Sequence, residues 1–118
     1  MTFRSKLELQ LASQLAMAKR AGKIPALPVE EWVAIPGRKF RFDFGWPDYN
    51  LAIEVQGGIW GLGAHSGGTG ALRDFEKQSL AAIHGIYLIT CGPSQIREGK
   101  ALSWVIQFFE ISHAAHLA

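Results

Sequence analysis

The sequence predicts an α/β fold in which a mixed β-sheet of about four strands lies between helices. Residues 39–45 alternate phenylalanine with charged residues, which is typical of a half-buried strand. Residues 86–91 form a continuous apolar run, which favours a strand covered on both faces. Apolar residues also recur at helical spacing near the start of the chain, after residue 71 and near its end. The predicted element order is αβββαβα.

Composition favours one compact domain that spans residues 1–118. Hydrophobic residues make up 48% of the chain, so collagen-like, mucin-like and disordered classes are excluded. The single cysteine, Cys91, excludes an internal disulfide and a cysteine-rich zinc site, and it indicates a reducing compartment. No apolar run reaches the roughly 18 residues of a membrane span, and the N-terminus does not resemble a signal peptide. We therefore expect a cytoplasmic protein that does not associate with membranes.

Charge is distributed unevenly along the chain. Residues 1–41 carry eight basic and three acidic side chains, a net charge of +5, whereas residues 42–118 carry four and seven, a net charge of −3. Such a division suits a protein that holds a polyanion with one part and a divalent cation with another, although an ordinary surface is an alternative explanation.

The first predicted helix begins at Ser5, which forms a capping-box pattern with Glu8, and ends at Gly22. A short strand near 32–35 stops at Pro36-Gly37. The strand over 39–45 should point Phe40, Phe42 and Phe44 one way and its charged residues the other. Residues 46–49 form a turn. The next strand, over 51–56, is therefore an antiparallel neighbour, with Glu54 and Gln56 opposite its core face.

Residues 57–70 contain seven of the thirteen glycines and are predicted to form a mobile loop. A helix follows, with Arg73, Asp74 and Lys77 outside an apolar stripe formed by Leu72, Phe75, Ala82 and Ile83. It ends at Gly85. The strand over 86–91 stops at Gly92-Pro93. The last helix runs from about 100 to 112 and should bury four apolar residues: Leu102, Val105, Ile106 and Phe109.

The predicted hairpin brings two carboxylates together. Asp43 should lie nearly opposite Ala52 and within diagonal reach of Glu54. Like charges this close are unfavourable unless a cation or a proton lies between them. Oxygen ligands suit Mg²⁺, with Mn²⁺ as a substitute, better than zinc. Alternatively, the two carboxylates belong to an exposed face and pair with Lys39 and Arg41.

Asp43 is followed, after ten residues, by Glu54-Val55-Gln56. A helix that bears Glu8 precedes these residues, and a helix and a strand follow them. This arrangement resembles the PD-(D/E)XK nuclease superfamily. The stretch over 41–58 is similar in particular to very short patch repair endonucleases and related small bacterial and phage proteins. The resemblance covers roughly residues 5–104. It implies a restriction-endonuclease-like core and a metal-dependent DNA endonuclease in a bacterial or phage-infected cell.

The resemblance also implies roles for individual residues. Asp43 and Glu54 would be the Mg²⁺ ligands, and Gln56 occupies the position where the family usually has a lysine. Glutamine cannot supply that positive charge but could orient a water molecule. Lys77 is the candidate replacement, unless it pairs with Asp74 or Glu76 on its own helix. Glu8 matches an additional carboxylate of some members, although its capping role alone would explain it.

DNA is the expected partner. Candidate contacts to DNA are basic residues and one loop histidine: Lys39, Arg41, His65, Arg73 and Lys77. His65 could touch phosphate or relay a proton, or it could simply be exposed. The spacing of Gly61, Gly63 and Gly67 does not fit a dinucleotide-binding motif, so no nucleotide cofactor is expected. A homodimer would let each subunit cut one strand. Two alternatives are a Holliday-junction resolvase and a catalytically silent DNA-binding module.

Overall fold

The computed structural model describes residues 5–56 and 72–117, with side chains up to residue 111. It forms two compact units, here called the sheet unit (Pro28–Thr90) and the helical unit (up to Leu27 and from Cys91 onward). Their elements, in chain order, are α1 (Lys6–Arg20), β1 (Val29–Trp32), β2 (Phe42–Trp46), a 3-10 turn (Pro47–Tyr49), β3 (Leu51–Val55), α2 (72–83), β4 (Tyr87–Cys91), α3 (Pro93–Arg97) and α4 (Lys100–Leu117).

The four strands form one sheet in the order β1-β2-β3-β4. Strand β2 pairs antiparallel with β1 and with β3. The amide of Tyr87 donates to the carbonyl of Asn50 at 2.7 Å, so β4 starts beside the start of β3 and runs parallel to it. The sheet is therefore mixed, as predicted. Tyr87 and Thr90 of β4 are exposed, and Leu88 and Ile89 are only half-buried, so the expectation that this strand is covered on both faces is wrong.

The hairpin of β2 and β3 confirms the predicted turn. Pro47 begins the 3-10 turn, where its fixed φ is compatible with helical geometry. Asn50 ends it in the left-handed region at φ 53°, a conformation that asparagine adopts more readily than most residues. Strand β1 lies at 29–32 rather than 32–35, and Ile35 instead contributes to the core.

Helix α2 packs on the sheet through a core that contains Ile35, Phe42, Ala52, Ala81 and Ile86. The predicted stripe on this helix is wrong, because Leu72, Phe75 and Ile83 are 61–75% exposed. Lys77 and Ala81, one helical turn apart, are buried instead. The small alanine permits close packing on the sheet, and the lysine finds polar partners there.

The helical unit has a core of its own. Buried residues on α1, α3 and α4 are Leu11, Leu15, Ala18, Pro93, Ile96, Ala101, Val105 and Phe109. Leu102 and Ile106 are only half-buried, contrary to expectation. The sequence pattern placed a strand end at Gly92-Pro93, but it missed that Pro93 also begins α3, a position at which proline costs no hydrogen bond. Among the described helices, none is both long and apolar enough to cross a membrane.

Candidate functional site

Asp43 and Glu54 lie next to each other just beyond the β2-β3 ladder. The last pair of the register is Phe44 with Ile53, and Asp43 and Glu54 adjoin this pair on the two strands. Oδ2 of Asp43 accepts a 2.7 Å hydrogen bond from the amide of Val55, and the amide of Asp43 donates to Oε1 of Glu54 at 3.4 Å. Ala52 pairs with Gly45 rather than with Asp43, so the two carboxylates are closer in register than predicted.

Lys77 of α2 supplies the cation beside these carboxylates. Its ammonium lies 2.6 Å from Oε2 of Glu54 and donates to the carbonyl of Arg41 at 2.5 Å. The exposed fractions of the two side chains are 11% for Lys77 and 16% for Glu54. The alternative in which Lys77 pairs with an acidic residue of its own helix is therefore wrong. Arg41 pairs with Glu31 at 3.5 Å instead of with the two carboxylates.

The surroundings of Glu54 change its proton affinity. Burial raises the pKa of Glu54 above its ordinary value of 4.5, and the charge of Asp43 acts in the same direction. The hydrogen bond and charge of Lys77 oppose this rise in pKa without cancelling it. A cation bound near Glu54 would favour the ionised form of this carboxyl group. The site formed by the two carboxylates and the lysine therefore favours binding of a cation.

A cleft of about 660 Å³ opens beside Glu54 within the sheet unit. The segment before β2 lines one part of it, and α2 lines another. The lining residues are Gly37, Arg38, Lys39, Phe40, Arg41, Glu54, Arg73, Asp74 and Lys77. Five of these side chains are cationic and two are acidic, so the lining has a net charge of +3. This excess suits a phosphate-bearing ligand.

Arg38 connects the segment before β2 to α2. Its guanidinium donates to Oε1 of Glu76 at 2.6 Å and lies 4.6 Å from the centroid of the Phe40 ring. Gly37, at φ 77°, completes a turn in which the Arg38 amide donates to the carbonyl of Ile35 at 3.2 Å. The left-handed φ explains the glycine, since other residues rarely adopt it.

A second, much smaller cavity of about 10 Å³ also borders Glu54. Its lining adds three polar side chains that lie outside the larger cleft: Gln56, Gln78 and Thr90. The volume approaches that of a single water position, and the lining is polar enough to bond one. Gln56 therefore lies where the sequence predicted it. Gln78 and Thr90 were not predicted. Thr90 reaches this cavity through the parallel pairing of β4 with β3, which the sequence does not reveal, and Gln78 reaches it through the orientation of α2, which differs from the predicted one.

The remaining predicted residues are distributed over both units. Lys39, Arg41 and Arg73 line the cleft. Glu8 lies on α1 in the helical unit, and its amide donates to Oγ of Ser5 at 3.1 Å, which confirms Ser5 as the N-cap. His65 lies outside the described residues.

The donor set fits a magnesium ion. Asp43 and Glu54 offer carboxylate oxygens, which are hard ligands, and Mg²⁺ commonly binds one or two protein carboxylates while it keeps several water ligands. Among the described side chains of residues 5–56 and 72–111, no group of three or more His, Cys, Asp or Glu is arranged to hold a metal. Carboxylate oxygens of this kind suit Mg²⁺, or Mn²⁺ in its place, better than zinc.

Comparison of the chain with models of protein families, with characterised proteins and with solved structures finds no match.

Proposed function

We propose that this protein is a Mg²⁺-dependent endonuclease that hydrolyses phosphodiester bonds in DNA. The observation that supports this proposal most strongly is the meeting of Asp43, Glu54 and Lys77 at the margin of a basic cleft. Two carboxylates for a cation, a lysine for phosphate charge and a basic wall for the substrate are the parts that phosphodiester hydrolysis requires. The resemblance to PD-(D/E)XK nucleases supports the same assignment.

Each part has a distinct role in the proposed reaction. Asp43 and Glu54 would hold the ion, which would supply Lewis-acid activation of water and of the phosphate. Lys77 reaches Glu54 from α2 and takes the role of the lysine that Gln56 replaces, offsetting negative charge on the phosphate. Gln56 lines the small cavity beside Glu54, where its amide would orient a water molecule. His65 and Glu8 remain candidates for proton transfer and for an additional ligand.

The wider setting follows from the same proposal. We assign the mixed sheet and its helices to a restriction-endonuclease-like core that acts on DNA in the cytoplasm of a bacterial or phage-infected cell. Lys39, Arg41 and Arg73 would contact the DNA backbone. A homodimer would cut both strands, whereas a monomer would nick one strand. Nicking for repair and resolution of Holliday junctions differ only in the DNA structure that is recognised.

One observation favours a second candidate function. Lys77 already neutralises Glu54, and Gln56 stands where a catalytic lysine is expected, which is compatible with a catalytically silent DNA-binding module. Such a module would bind DNA without cutting it. Activity with Mg²⁺ separates the two candidates.

The test is cleavage of supercoiled plasmid and of a four-way junction in Mg²⁺, in Mn²⁺ and in EDTA. We expect metal-dependent nicking that Asp43→Asn, Glu54→Gln and Lys77→Met each reduce at least a hundredfold, because each removes a group that would act on the phosphate. Asp48→Asn is the matched control, since Asp48 is an exposed carboxylate of the turn. Circular dichroism verifies folding of every variant. DNA binding without cleavage by the wild type in either metal would establish the silent module instead.

A further inference from the structure

Arg38 is held in place before any ligand binds. Glu76 fixes one edge of its guanidinium at 2.6 Å, and the ring of Phe40 lies 4.6 Å from its central carbon. The side chain nevertheless remains 40% exposed and lines the cleft. A planar guanidinium that is already ordered can receive a nucleobase by stacking without a further loss of side-chain entropy.

Cations suited to phosphate lie in the same cleft. Lys39 belongs to the segment before β2, and Arg73 belongs to α2. Neither side chain forms an ion pair with another residue of the described ranges, so neither charge is already neutralised there. Both side chains are therefore available to pair with phosphates of a ligand in this cleft.

The chemistry of base stacking distinguishes paired from unpaired DNA. The cleft that Arg38 lines has a volume of about 660 Å³, which lies in the range of cavities that bind small molecules. Bases within a duplex stack on each other, and their faces are not accessible to a side chain. Stacking on an arginine therefore requires an unpaired base.

We propose that this cleft binds a single-stranded segment of DNA, with one unpaired base stacked on Arg38 and the adjoining phosphates held by Lys39 and Arg73. This inference rests on the proposed endonuclease function, because the same cleft leads to Glu54. It adds the class of DNA on which the endonuclease would act. The substrate class is then DNA with an unpaired segment, such as a flap, a bubble or a branch, rather than continuous duplex.

The test measures binding in EDTA, so that it does not depend on hydrolysis. Fluorescence anisotropy compares a labelled ten-residue oligothymidylate, an abasic strand of equal length and a duplex of equal length. We expect the wild type to bind the oligothymidylate about tenfold more tightly than the abasic strand, because the abasic strand offers phosphates and no bases. It should also bind the oligothymidylate more tightly than the duplex.

The variants assign these contributions to residues. Arg38→Lys keeps the charge and removes the planar group, so the preference for thymidylate over the abasic strand should disappear while binding of the abasic strand is retained. Lys39→Ala and Arg73→Ala should weaken binding of both strands, each lowering the salt-dependence slope by about 0.7. Lys100→Ala is the control, since Lys100 lies at the start of α4 outside the cleft lining, and it should change nothing.

Three results would overturn the inference: no binding of single strands, equal or tighter binding of duplex, or an unchanged base preference in Arg38→Lys. Cleavage assays with Mg²⁺ separate this inference from the proposed function. Selective single-strand binding without cleavage of any DNA would refute the nuclease and retain the cleft assignment. Metal-dependent cleavage together with a preference for duplex DNA would refute the cleft assignment and retain the nuclease.

Discussion

The ammonium of Lys77 lies 2.6 Å from Oε2 of Glu54, although 23 residues separate the two along the chain. This contact joins α2 to β3 at a place where both side chains are largely removed from water. A buried ion pair contributes little net stability, because both charges lose hydration when they are buried. Removing one partner is much more harmful, since the other charge is then left without compensation.

We predict strong coupling between these two residues in folding stability. At pH 7, Lys77→Met should lower the free energy of unfolding by about 3 kcal/mol, because it leaves the Glu54 carboxylate buried beside Asp43. Lys77→Met combined with Glu54→Gln should cost substantially less than the sum of the two single changes. Urea unfolding of the three variants and the wild type measures this coupling. Additive costs would show that the pair does not interact in solution.

The raised pKa of Glu54 predicts how stability changes with pH in the absence of metal. The folded protein retains a proton on Glu54 at pH values where the unfolded chain has released it, so the folded state binds more protons. The stability that Glu54 contributes is therefore fully present below its unfolded pKa, and it is lost as pH rises through the higher pKa of the folded state. The advantage of the wild type over Glu54→Gln should therefore shrink as the pH rises above about 4, the ordinary pKa of a glutamate in the unfolded chain.

Urea unfolding in EDTA at stepped pH measures this difference, and the comparison of two proteins removes the other titrating groups that they share. An advantage that instead grows with pH would mean that Lys77 outweighs burial and lowers the pKa of Glu54 in the folded protein.

The hairpin was predictable from sequence because its signals are local. The alternation of apolar and polar residues predicts strand β3, and Pro47 predicts the turn at 46–49. Together these elements bring Asp43 and Glu54 close to each other. The orientation of α2 was not predictable in the same way. Three of its large hydrophobic residues, Leu72, Phe75 and Ile83, are exposed. The face toward the sheet contains Lys77, whose partners lie far away in sequence. Periodicity cannot reveal a buried charge that is compensated by a distant strand.

The orientation of α2 predicts the effects of two substitutions. Phe75→Gln should change the free energy of unfolding by less than about 0.5 kcal/mol, because Phe75 is 61% exposed. Ala81→Leu should destabilise the protein by about 1–3 kcal/mol, since Ala81 is 1% exposed within the core under α2. Thermal or urea unfolding compares the two variants. If Phe75→Gln were the more destabilising of the two changes, the buried face of α2 would be the apolar stripe predicted from the sequence.

The rest of the site also depends on contacts that the sequence does not display. Arg38 meets Glu76 across 38 positions, and Thr90 comes beside Glu54 through the parallel pairing of β4 with β3. The sequence could nominate Lys39, Arg41 and Arg73 as cations that contact DNA. It could not place them around one cleft, because that requires the turn at Gly37 and the packing of α2.

Gly45 of β2 illustrates a constraint that only the packing reveals. A Cβ atom at this position would lie 2.2 Å from Cε3 of Trp32, which is too close for two carbon atoms. The indole is rigid and also packs against Phe42, with 6.3 Å between the ring centroids, so it cannot move away without disturbing the core. We therefore attribute the glycine to the space that Trp32 needs.

Gly45→Ala should consequently destabilise the protein by about 1–3 kcal/mol. In a Trp32→Leu background, the same change should be close to neutral, because the smaller side chain removes the obstruction and alanine is the more favourable residue in a strand. Urea unfolding of the four proteins in this cycle measures the coupling. An equal cost in both backgrounds would show that the cost of a Cβ atom at residue 45 does not depend on the indole ring of Trp32.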